Sequence, residues 1–319
     1  MAKKKPTCSI IIRCYNEELH IGKLLSGIME QTVKDVEIVL VDSGSTDATL
    51  SIASRYPVKV LNIKPEDFSF GRALNIGCKA ATGTYLVIAS AHVYPVYKDW
   101  LANMTAPFKN KDVALVYGMQ RGGEEARFSE QQIYKKWFPE TSINTQDHPF
   151  CNNANSVIRA SLWKKFPFNE ELTGLEDLDW AKRATAEGHK TVYSAEAEII
   201  HIHDETPLKV LNRYQREAIA FKRIYPEEHF LLKDFIKLTV ANTFTDYFHA
   251  LQDGLLFRNI ISIPVFRFMQ FLGTYRGYAQ HGGVTTDLRN RFYYPNGLIR
   301  EARISEEKNT ERKINYEHH

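Results

Sequence analysis

The sequence predicts an α/β fold with a mostly parallel sheet, and three observations support this prediction. Short apolar segments rich in β-branched residues alternate with segments whose apolar residues recur at every third or fourth position. This alternation is typical of strands joined by crossover helices, which produce parallel strand pairs. The last third of the chain has helical periodicity alone. We therefore expect a sheet-containing domain followed by a helical region.

Most of the predicted strands lie in the first half of the chain. Residues 8–13 form a short β-branched run that predicts a buried strand, and residues 17–31 repeat apolar side chains at helical spacing. The same criteria then predict a strand at 36–41, a helix at 46–55, a strand at 58–63, a helix at 71–81, and strands at 85–89 and 113–119. Together these elements indicate successive βαβ units.

The pattern changes after Asn152. Residues 156–158 and 190–202 predict extended segments on either side of a helix at 176–187. Extended segments in this arrangement indicate a mixed sheet that completes the same domain.

Beyond Pro207 the periodicity is helical to about Phe271, and we expect breaks at Pro226 and Pro264 because proline interrupts helices. The chain is therefore divided into three predicted parts. They are a domain at 1–205, a C-terminal helical region at 206–282, and a polar tail at 283–319 that is expected to be partly mobile.

Composition excludes several classes of protein. Apolar residues make up 44% of the 319 positions and charged residues 25%, which is ordinary for a soluble globular protein. The net charge of +3 and the absence of a basic stripe with interleaved aromatics argue against a nucleic-acid partner. The four cysteines have no metal-finger spacing, and the first residues do not resemble a signal peptide. We therefore expect a cytoplasmic protein.

Two acidic motifs carry the first indication of chemistry. Asp42 leaves an apolar run into a Gly/Ser/Thr turn, and in open α/β sheets ligands bind outside the carboxyl ends of the strands. Glu176 and Asp177 open a predicted helix, where a carboxylate can act as a general base. These motifs together predict an enzyme that holds a nucleotide-linked group and deprotonates an acceptor.

Residues 8–205 resemble the family 2 glycosyltransferases, which have the GT-A fold: a Rossmann-like nucleotide-binding half plus a mixed sheet. The resemblance runs through four motifs in the same order. They are residues 9–18 (SIIIRCYNEE), 41–47 (VDSGSTD), 71–77 (GRALNIG) with 81–83 (ATG), and 168–179 (FNEELTGLEDLD). Residues 68–72 (FSFGR) are similar to the bacterial rhamnosyltransferase-like branch. Fold and family do not by themselves identify the sugar.

The resemblance implies roles for individual residues. Asp177 is expected to be the general base of an inverting transfer, and Glu176 to orient the acceptor or tune Asp177. Asp42 is expected to contact the nucleotide base. The remaining implied donor contacts are Arg13, Tyr15, Asn16, Glu17, Arg72, Asn75, Ser90 and Ala91, and the implied acceptor contacts are Asn153, Asn155 and Trp180.

Structural alternatives exist for several of these residues. Asp42 is also suited to an Asx-type turn after a strand, and Asn16 to capping the following helix. Acidic residues such as Glu176 and Asp177 are favourable at a helix N-terminus without any catalytic role. Arg72 is equally consistent with a solvated position on its helix, and Asn153 and Asn155 with polar residues of a buried turn.

The chain departs from the family pattern at His92. Relatives end the fourth strand with Asp-x-Asp, or with Gln-Asp in the rhamnosyltransferase-like branch, and the last Asp binds a divalent cation. Here Ser90 and His92 occupy those two positions. In one interpretation His92 ligates Mn²⁺, or less suitably Mg²⁺, together with His201 or His203.

In the second interpretation no metal binds, and His92 contacts the donor phosphate directly, as would suit a CMP-linked acidic sugar. Loss of both carboxylates favours this metal-free version, because it removes the charge that holds a hard cation. A third possibility is that His92 is a packed residue at a strand end.

The sequence thus predicts transfer of a sugar from a nucleotide-sugar donor to a hydroxyl of a bacterial surface glycan, such as capsule or lipopolysaccharide, or of a lipid-linked acceptor. The alternative from another class is a non-catalytic nucleotide- or glycan-binding protein. A nucleotidyltransferase is disfavoured, because residues 14–18 do not form a Gly-rich phosphate loop.

The apolar residues from Phe244 to Phe271 are interspersed with Arg258, Arg267 and Arg276. The C-terminal helices are expected to form part of the acceptor site or to make peripheral contact at the inner face of a membrane. The same pattern is consistent with an ordinary helical core or with a homodimer surface.

Overall fold

The computed structural model describes residues 6–123, 125–203 and 205–294. Within them the strands form one eight-stranded sheet. The strands are Cys8–Cys14 (β1), Val36–Asp42 (β2), Val58–Asn62 (β3), Tyr85–Ser90 (β4), Val93–Pro95 (β5), Val113–Gly122 (β6), Asn155–Arg159 (β7) and Lys190–His201 (β8).

The sheet is mixed, with strand order β3-β2-β1-β4-β7-β6-β8-β5. β1 pairs in parallel with both β2 and β4, whereas β7 is antiparallel to β4 and to β6. β6 pairs in parallel with β8, and β5 is antiparallel to β8. Because β7 is antiparallel to both of its neighbours, the strands on either side of it run in the same direction. The carboxyl ends of β1, β2, β4, β6 and β8 therefore all lie at the same edge of the sheet. The predicted mixed α/β sheet of the GT-A type is confirmed.

The central strands are buried on both faces, as parallel strands covered by helices must be. Ile10 and Ile12 of β1 pack in one apolar layer with Leu24 and Leu25, while Ile11 faces the opposite layer. Alternate residues of one strand therefore serve two cores, which explains the continuous apolar run in the sequence.

The helices are Ile21–Met29 (α1), Thr49–Ala53 (α2), Phe70–Ala80 (α3), Trp100–Thr105 (α4), Phe128–Trp137 (α5), Ala160–Lys165 (α6), Glu176–Ala186 (α7), Pro207–Ile224 (α8), Leu232–Gln252 (α9), Leu256–Asn259 (α10), Ser262–Ala279 (α11) and Thr286–Tyr293 (α12). α1 starts four residues later than the prediction of a helix from residue 17, because Asn16 has a φ of 54° and the chain turns before the helix begins.

The predicted break at Pro226 is confirmed, because it lies between α8 and α9. The predicted break at Pro264 is wrong. Pro264 occupies the first turn of α11, where a backbone N–H has no helical partner and its loss costs nothing. α9 instead ends just before Gly254, whose φ is +70°.

Several elements were not predicted, among them β5, α4, α5 and α6. β5, α4 and α6 have six residues or fewer, and elements this short are identified only where they form a continuous apolar run, as β4 does. α5 has ten residues but was missed because its apolar side chains recur at irregular intervals.

Residues up to His281 belong to one compact unit, and α12 belongs to a second that starts at Gly282. Most of the predicted mobile tail, residues 295–319, lies outside the described residues. Among those described, no helix combines the length and hydropathy that a transmembrane span requires.

Candidate active site

Functional side chains collect where the parallel strands end. Arg13 lies at the end of β1 and Asp42 at the end of β2, and His92 follows β4 directly. His201 is the last residue of β8, at the same edge. This convergence is the arrangement in which open α/β sheets bind ligands.

The first feature of this edge is a buried pair of carboxylates at the start of α7. Asp177 accepts hydrogen bonds from the backbone N–H groups of Asn153 and Leu178, both at 2.8 Å. Glu176 accepts from the Arg13 guanidinium at 3.1 Å and from the Asn153 side chain at 3.3 Å. The pair is thus held by the end of β1 and by the segment before β7.

Backbone strain marks the same place. Leu175, immediately before the pair, has a φ of 55°, and Asn16 is the one other non-glycine residue with positive φ in the described part of the chain. Such conformations cost about 1–3 kcal/mol and cluster at functional sites. Both residues flank the carboxyl edge, one before α7 and the other after β1.

Burial and charge change the acidity of the pair. Burial, followed by the neighbouring charge of Glu176, raises the pKa of Asp177 to about 7, although the hydrogen bonds from Asn153 and Leu178 oppose the shift. A carboxylate with this pKa can accept a proton near neutral pH, which is the property that a general base requires.

Two arginines and a phenylalanine border the carboxylates. The guanidinium groups of Arg13 and Arg216 each lie 4.6 Å from the ring centre of Phe70, a distance at which cation–π attraction operates. Arg216 comes from α8, so the C-terminal helical region reaches this edge, which agrees with the expectation that these helices form part of the acceptor site; Arg216 itself was not identified from the sequence.

The second feature of the edge is a cluster of three histidines. The ring centres of His92 and His201 are 5.1 Å apart, and those of His201 and His203 are 4.1 Å apart. One nitrogen from each ring lies within 4.8 Å of the nitrogens offered by the other two. The predicted association of His92 with His201 or His203 is therefore present in the structure, with both.

Each ring is oriented by a hydrogen bond from its Nδ1 atom. The partners are Glu17 for His92 at 2.8 Å, Gln120 for His201 at 2.8 Å, and Glu130 for His203 at 2.7 Å. A carboxylate or amide oxygen only accepts, so each Nδ1 carries the proton and Nε2 keeps its lone pair. Nε2 of His201 is buried and has no hydrogen-bond partner in the described part of the chain.

The surroundings act differently on two of these rings. Burial, reinforced by the charges of His203 and His92, holds the pKa of His201 well below its usual range, so this ring is neutral. Burial also lowers the pKa of His92, but the Glu17 carboxylate more than offsets this effect and the net pKa is raised.

A buried ionic network supports His203 from the C-terminal side. Arg213 of α8 contacts Glu130 at 3.0 Å and Glu205 at 2.6 Å. Burial disfavours the charge of Glu205, yet Arg213 and His203 outweigh it and lower the pKa of Glu205 to about 2. Glu130, Glu205 and Arg213 were not identified from the sequence, because an isolated acid or arginine on a helix carries no motif.

The donor chemistry of the cluster fits a divalent transition metal. Three imidazoles, each fixed through Nδ1 by an oxygen acceptor, form the arrangement that orients histidine ligands in metal sites. Nε2 of His201 has no partner within residues 6–123, 125–203 and 205–294, and burial of such an atom is unfavourable unless another group satisfies it. Nitrogen ligands suit Mn²⁺ or Zn²⁺ better than Mg²⁺, which prefers oxygen.

The loop predicted to contact the nucleotide base is organised around Asp42 and Asn16. Asp42 is buried, accepts from the backbone N–H groups of Gly44 and Ser45 at 3.0 Å, and so forms the Asx-type turn expected as the alternative. Asn16 accepts from the backbone of Thr46 at 2.8 Å. A role for Asp42 in binding the base stays a prediction.

The other predicted donor contacts differ in exposure. Arg72 is half-exposed and lies 3.7 Å from Asp67, and Tyr15 and Ser90 are partly buried. Ala91 is fully buried, so its side chain is not available to a ligand.

The structure gives Asn75 a different role from the predicted donor contact. Its side-chain amide donates to the carbonyl of Phe168 and accepts from Trp163 and from the backbone of Phe168, all at 2.9–3.0 Å. The nearby Gly71 permits this packing, because a Cβ there would lie 2.3 Å from the carbonyl oxygen of Asn169. Asn75 therefore positions the segment leading to α7.

Two of the three predicted acceptor contacts are also corrected. Trp180 is fully buried in the core and donates to the carbonyl of Phe166 at 2.6 Å. Asn155 is fully buried and accepts from Trp100 at 2.8 Å. Neither side chain can reach an acceptor. Asn153 remains next to the carboxylates, since it contacts both.

The sequence is similar to those of known glycosyltransferases. The model of glycosyl transferase family 2 matches residues 9–166. The O-antigen chain rhamnosyltransferase WbaN of Salmonella anatum is 27% identical over 223 residues, which cover 66% of this chain and 70% of that protein.

Solved structures share the fold. The mannosyltransferase PcManGT of Pyrobaculum calidifontis, in complex with GDP-Man and Mn²⁺, has a TM-score of 0.59 at 18% identity, covering 87% of this chain and 86% of that one. Residues 1–349 of Staphylococcus aureus TarS, in complex with UDP-GlcNAc, have a TM-score of 0.53 at 17% identity, covering 85% and 91%.

Proposed function

Because the chain belongs to glycosyl transferase family 2, we propose that it transfers a sugar, with inversion, from a nucleotide-sugar donor to a hydroxyl group of a bacterial surface glycan or a lipid-linked acceptor. Similarity to an O-antigen chain rhamnosyltransferase supports both the acceptor class and a deoxyhexose as the sugar.

The observation that carries this proposal is the buried Glu176–Asp177 pair. A general base for this reaction needs a pKa close to neutral pH, a fixed orientation, and a position at the ligand-binding edge. Asp177 meets these requirements through its burial, its two backbone hydrogen bonds and its place at the carboxyl edge.

In the proposed reaction, the acceptor hydroxyl loses its proton to Asp177. The acceptor oxygen forms a bond to the anomeric carbon from the face opposite the leaving group, and the bond from that carbon to the donor phosphate breaks. The electron pair leaves with the nucleotide phosphate, so the sugar configuration inverts. Arg13 keeps Glu176 in place and contributes positive charge at the edge where the phosphate charge develops.

The proposal includes a metal at the three-histidine cluster, with His92, His201 and His203 as the residues that would hold it. A bound divalent ion would offset the negative charge of the donor phosphates. The convergence of three rings and the unpartnered Nε2 of His201 support this version over the metal-free one. Binding of GDP-Man with Mn²⁺ by a protein of the same fold is consistent with it.

The test is a panel of UDP-, GDP-, dTDP- and CMP-linked sugars incubated with chelator-treated protein, with released nucleotide as the measurement. Mn²⁺, Zn²⁺ and Mg²⁺ are added back separately. We expect release from a nucleoside-diphosphate sugar that depends on a transition metal and is weaker with Mg²⁺. Metal-free release from a CMP-linked sugar would support the alternative in which His92 contacts phosphate.

The non-catalytic alternative makes a separate prediction in the same experiment. Nucleotide binding, measured by calorimetry, would persist while no donor releases nucleotide with any ion, even when lipid-linked and glycan acceptors are supplied.

A further inference from the structure

The long helix α9 exposes a row of apolar side chains to solvent. Leu232, Ile236, Val240, Phe244 and Phe248 follow one another at four-residue spacing, and all five are exposed. Twelve of the nineteen exposed large apolar side chains in the described residues lie in residues 231–268. A concentration of this kind indicates an interaction surface rather than scattered surface residues.

The apolar surface continues past the end of α9. Phe257 is 88% exposed and Ile261 is 73% exposed. The Tyr247 hydroxyl donates to the carbonyl of Ile260 at 2.6 Å, which holds this connection against the C-terminal part of α9. We call the exposed apolar residues of α9 together with those of 255–261 the α9 face.

The charges on the α9 face are mainly basic. Lys233, Lys237 and Arg258 are exposed. Within residues 231–261, Asp234 is half-buried and accepts from the Leu231 backbone, and Asp246 is buried, so Asp253 is the exposed acidic residue. Apolar side chains interspersed with basic ones, whose long stems let the charged groups reach the lipid phosphates, are found on helices that lie in an anionic lipid interface.

From this geometry we propose that the α9 face docks on the surface of an anionic phospholipid bilayer. The helix would lie in the plane of the interface, with its aromatic and aliphatic side chains in the acyl boundary and the lysine ammonium groups at the lipid phosphates. This inference goes beyond the proposed function, since it does not depend on the reaction.

The width of the face favours lipid over a second copy of the chain. At 100° per residue, the five apolar side chains of α9 spread over about 160° of the helix circumference, whereas a coiled-coil seam is narrower. A lipid interface can surround such a wide arc.

The charges favour the same choice. A two-fold dimer would place the face against itself, and Lys233 and Lys237 would lie within the apolar region of both copies with few acids to pair them. Removing unpaired ammonium groups from water is costly, but lipid phosphates would pair them.

The α9 face is rigidly joined to the catalytic domain. Asp246 of α9 forms a buried ion pair with Arg267 of α11, at 2.7 and 2.8 Å. Arg267 also donates to the carbonyl of Ser129, the residue before Glu130, which orients His203. Arg267 is therefore part of the helical core, which is one of the alternatives that the sequence left open for this segment. Docking would therefore hold the active site at a fixed distance from the bilayer that carries a lipid-linked acceptor.

The experiment measures co-sedimentation of the full chain with vesicles of phosphatidylcholine alone and with vesicles that also contain phosphatidylglycerol. We expect binding to the second kind and little to the first. Phe244→Glu should weaken partitioning about tenfold or more, and Lys237→Glu about fivefold. Leu208→Glu is the matched control, because Leu208 and Phe244 are both 67% exposed, and it should bind like the wild type.

Melting curves establish that each variant is folded. If Phe244→Glu does not fold, Phe257→Glu serves as the second variant. Three results would overturn the proposal: no binding to anionic vesicles, equal loss of binding in Leu208→Glu, or a dimer in light scattering that Phe244→Glu converts to monomer. The last result would identify a second copy as the occupant. None of these measurements requires sugar transfer, so failure here is distinguishable from failure of the proposed function.

Discussion

The carboxylate pair and the histidine cluster are both buried ionisable groups at one edge of the sheet, but they differ in how completely the protein satisfies them. Asp177 has two backbone donors and Glu176 has two side-chain donors. In the histidine cluster each Nδ1 is satisfied, but Nε2 of His201 is buried and has no hydrogen-bond partner among the described residues. The carboxylate pair is therefore fully hydrogen-bonded as folded, whereas the histidine cluster keeps one buried acceptor free for the metal proposed above.

Burial has the same physical effect in both places and opposite chemical consequences. It disfavours the charged form, which raises the pKa of Asp177 and lowers the pKa of His201. A carboxylate with a raised pKa is a better proton acceptor near neutral pH. A neutral imidazole is the form that binds metals. One kind of environment thus gives Asp177 and His201 the protonation properties that their proposed roles, as base and as metal ligand, require.

The largest expected effect is that of Asp177→Asn on turnover. The amide keeps the shape of the side chain but cannot accept the acceptor proton, so we expect turnover to fall by about 10²- to 10⁴-fold. Nucleotide affinity and melting temperature should remain close to those of the wild type.

Asp179→Asn is the matched control, because Asp179 is an acid of the same helix that pairs with Arg183. It should retain most of the activity. Wild-type turnover by Asp177→Asn would remove Asp177 from the role of base and leave the pair as a structural feature of the helix start.

The next largest expected effect is that of His201→Ala on the affinity of the histidine cluster for a metal ion. Loss of an outer partner of a metal ligand commonly costs about 10- to 100-fold in affinity, so loss of a ligand should cost at least about 100-fold. Calorimetric titration of chelator-treated protein with Mn²⁺ and with Zn²⁺ measures this. His229→Ala, at an exposed position, is the control.

If His201→Ala binds both ions as tightly as the wild type, the proposed difference between the carboxylate pair and the histidine cluster disappears. The cluster would then be a packing feature, and the phosphate-contact interpretation of His92 would return.

The smallest effect is the pH dependence of transfer. With metal and donor saturating, the rate should fall about tenfold for each pH unit below about 7, because protonated Asp177 cannot accept a proton. Rates measured across this range in wild type and Asp177→Asn provide the test, and the residual rate of the variant should lack this dependence.

Stability should respond in the opposite sense. The pKa of Asp177 is raised in the folded state, so its contribution to stability is present at low pH and is lost as the pH rises through about 7. Melting temperatures of Asp177→Asn should therefore change less with pH than those of the wild type.

For the rate of transfer, a wild-type value that stays level below pH 7 would contradict the assignment of Asp177 as the base.

Local patterns predicted the elements best where they were long or repeated. The strands β1, β2 and β4 and the helix α7 lie within one or two residues of their predicted bounds. Glu176 and Asp177 are adjacent in the chain, so their association needs no folding to bring it about. The roles expected of Asn75, Asn155 and Trp180 were not supported, because residue type does not reveal whether a polar atom is used by a neighbouring loop.

The sequence by itself determined the alternation of strands and helices, the acidic pair and the His-x-His segment at the end of β8, because these depend on residues close together in the chain. Tertiary structure alone decided which partners orient the three histidines, that Arg213 and Arg216 of α8 reach the edge, and that the α9 face is exposed. The physical reason is that hydrogen bonding and burial depend on groups brought together from distant segments: His92 meets His201 only because β4 and β8 end at one edge of the sheet.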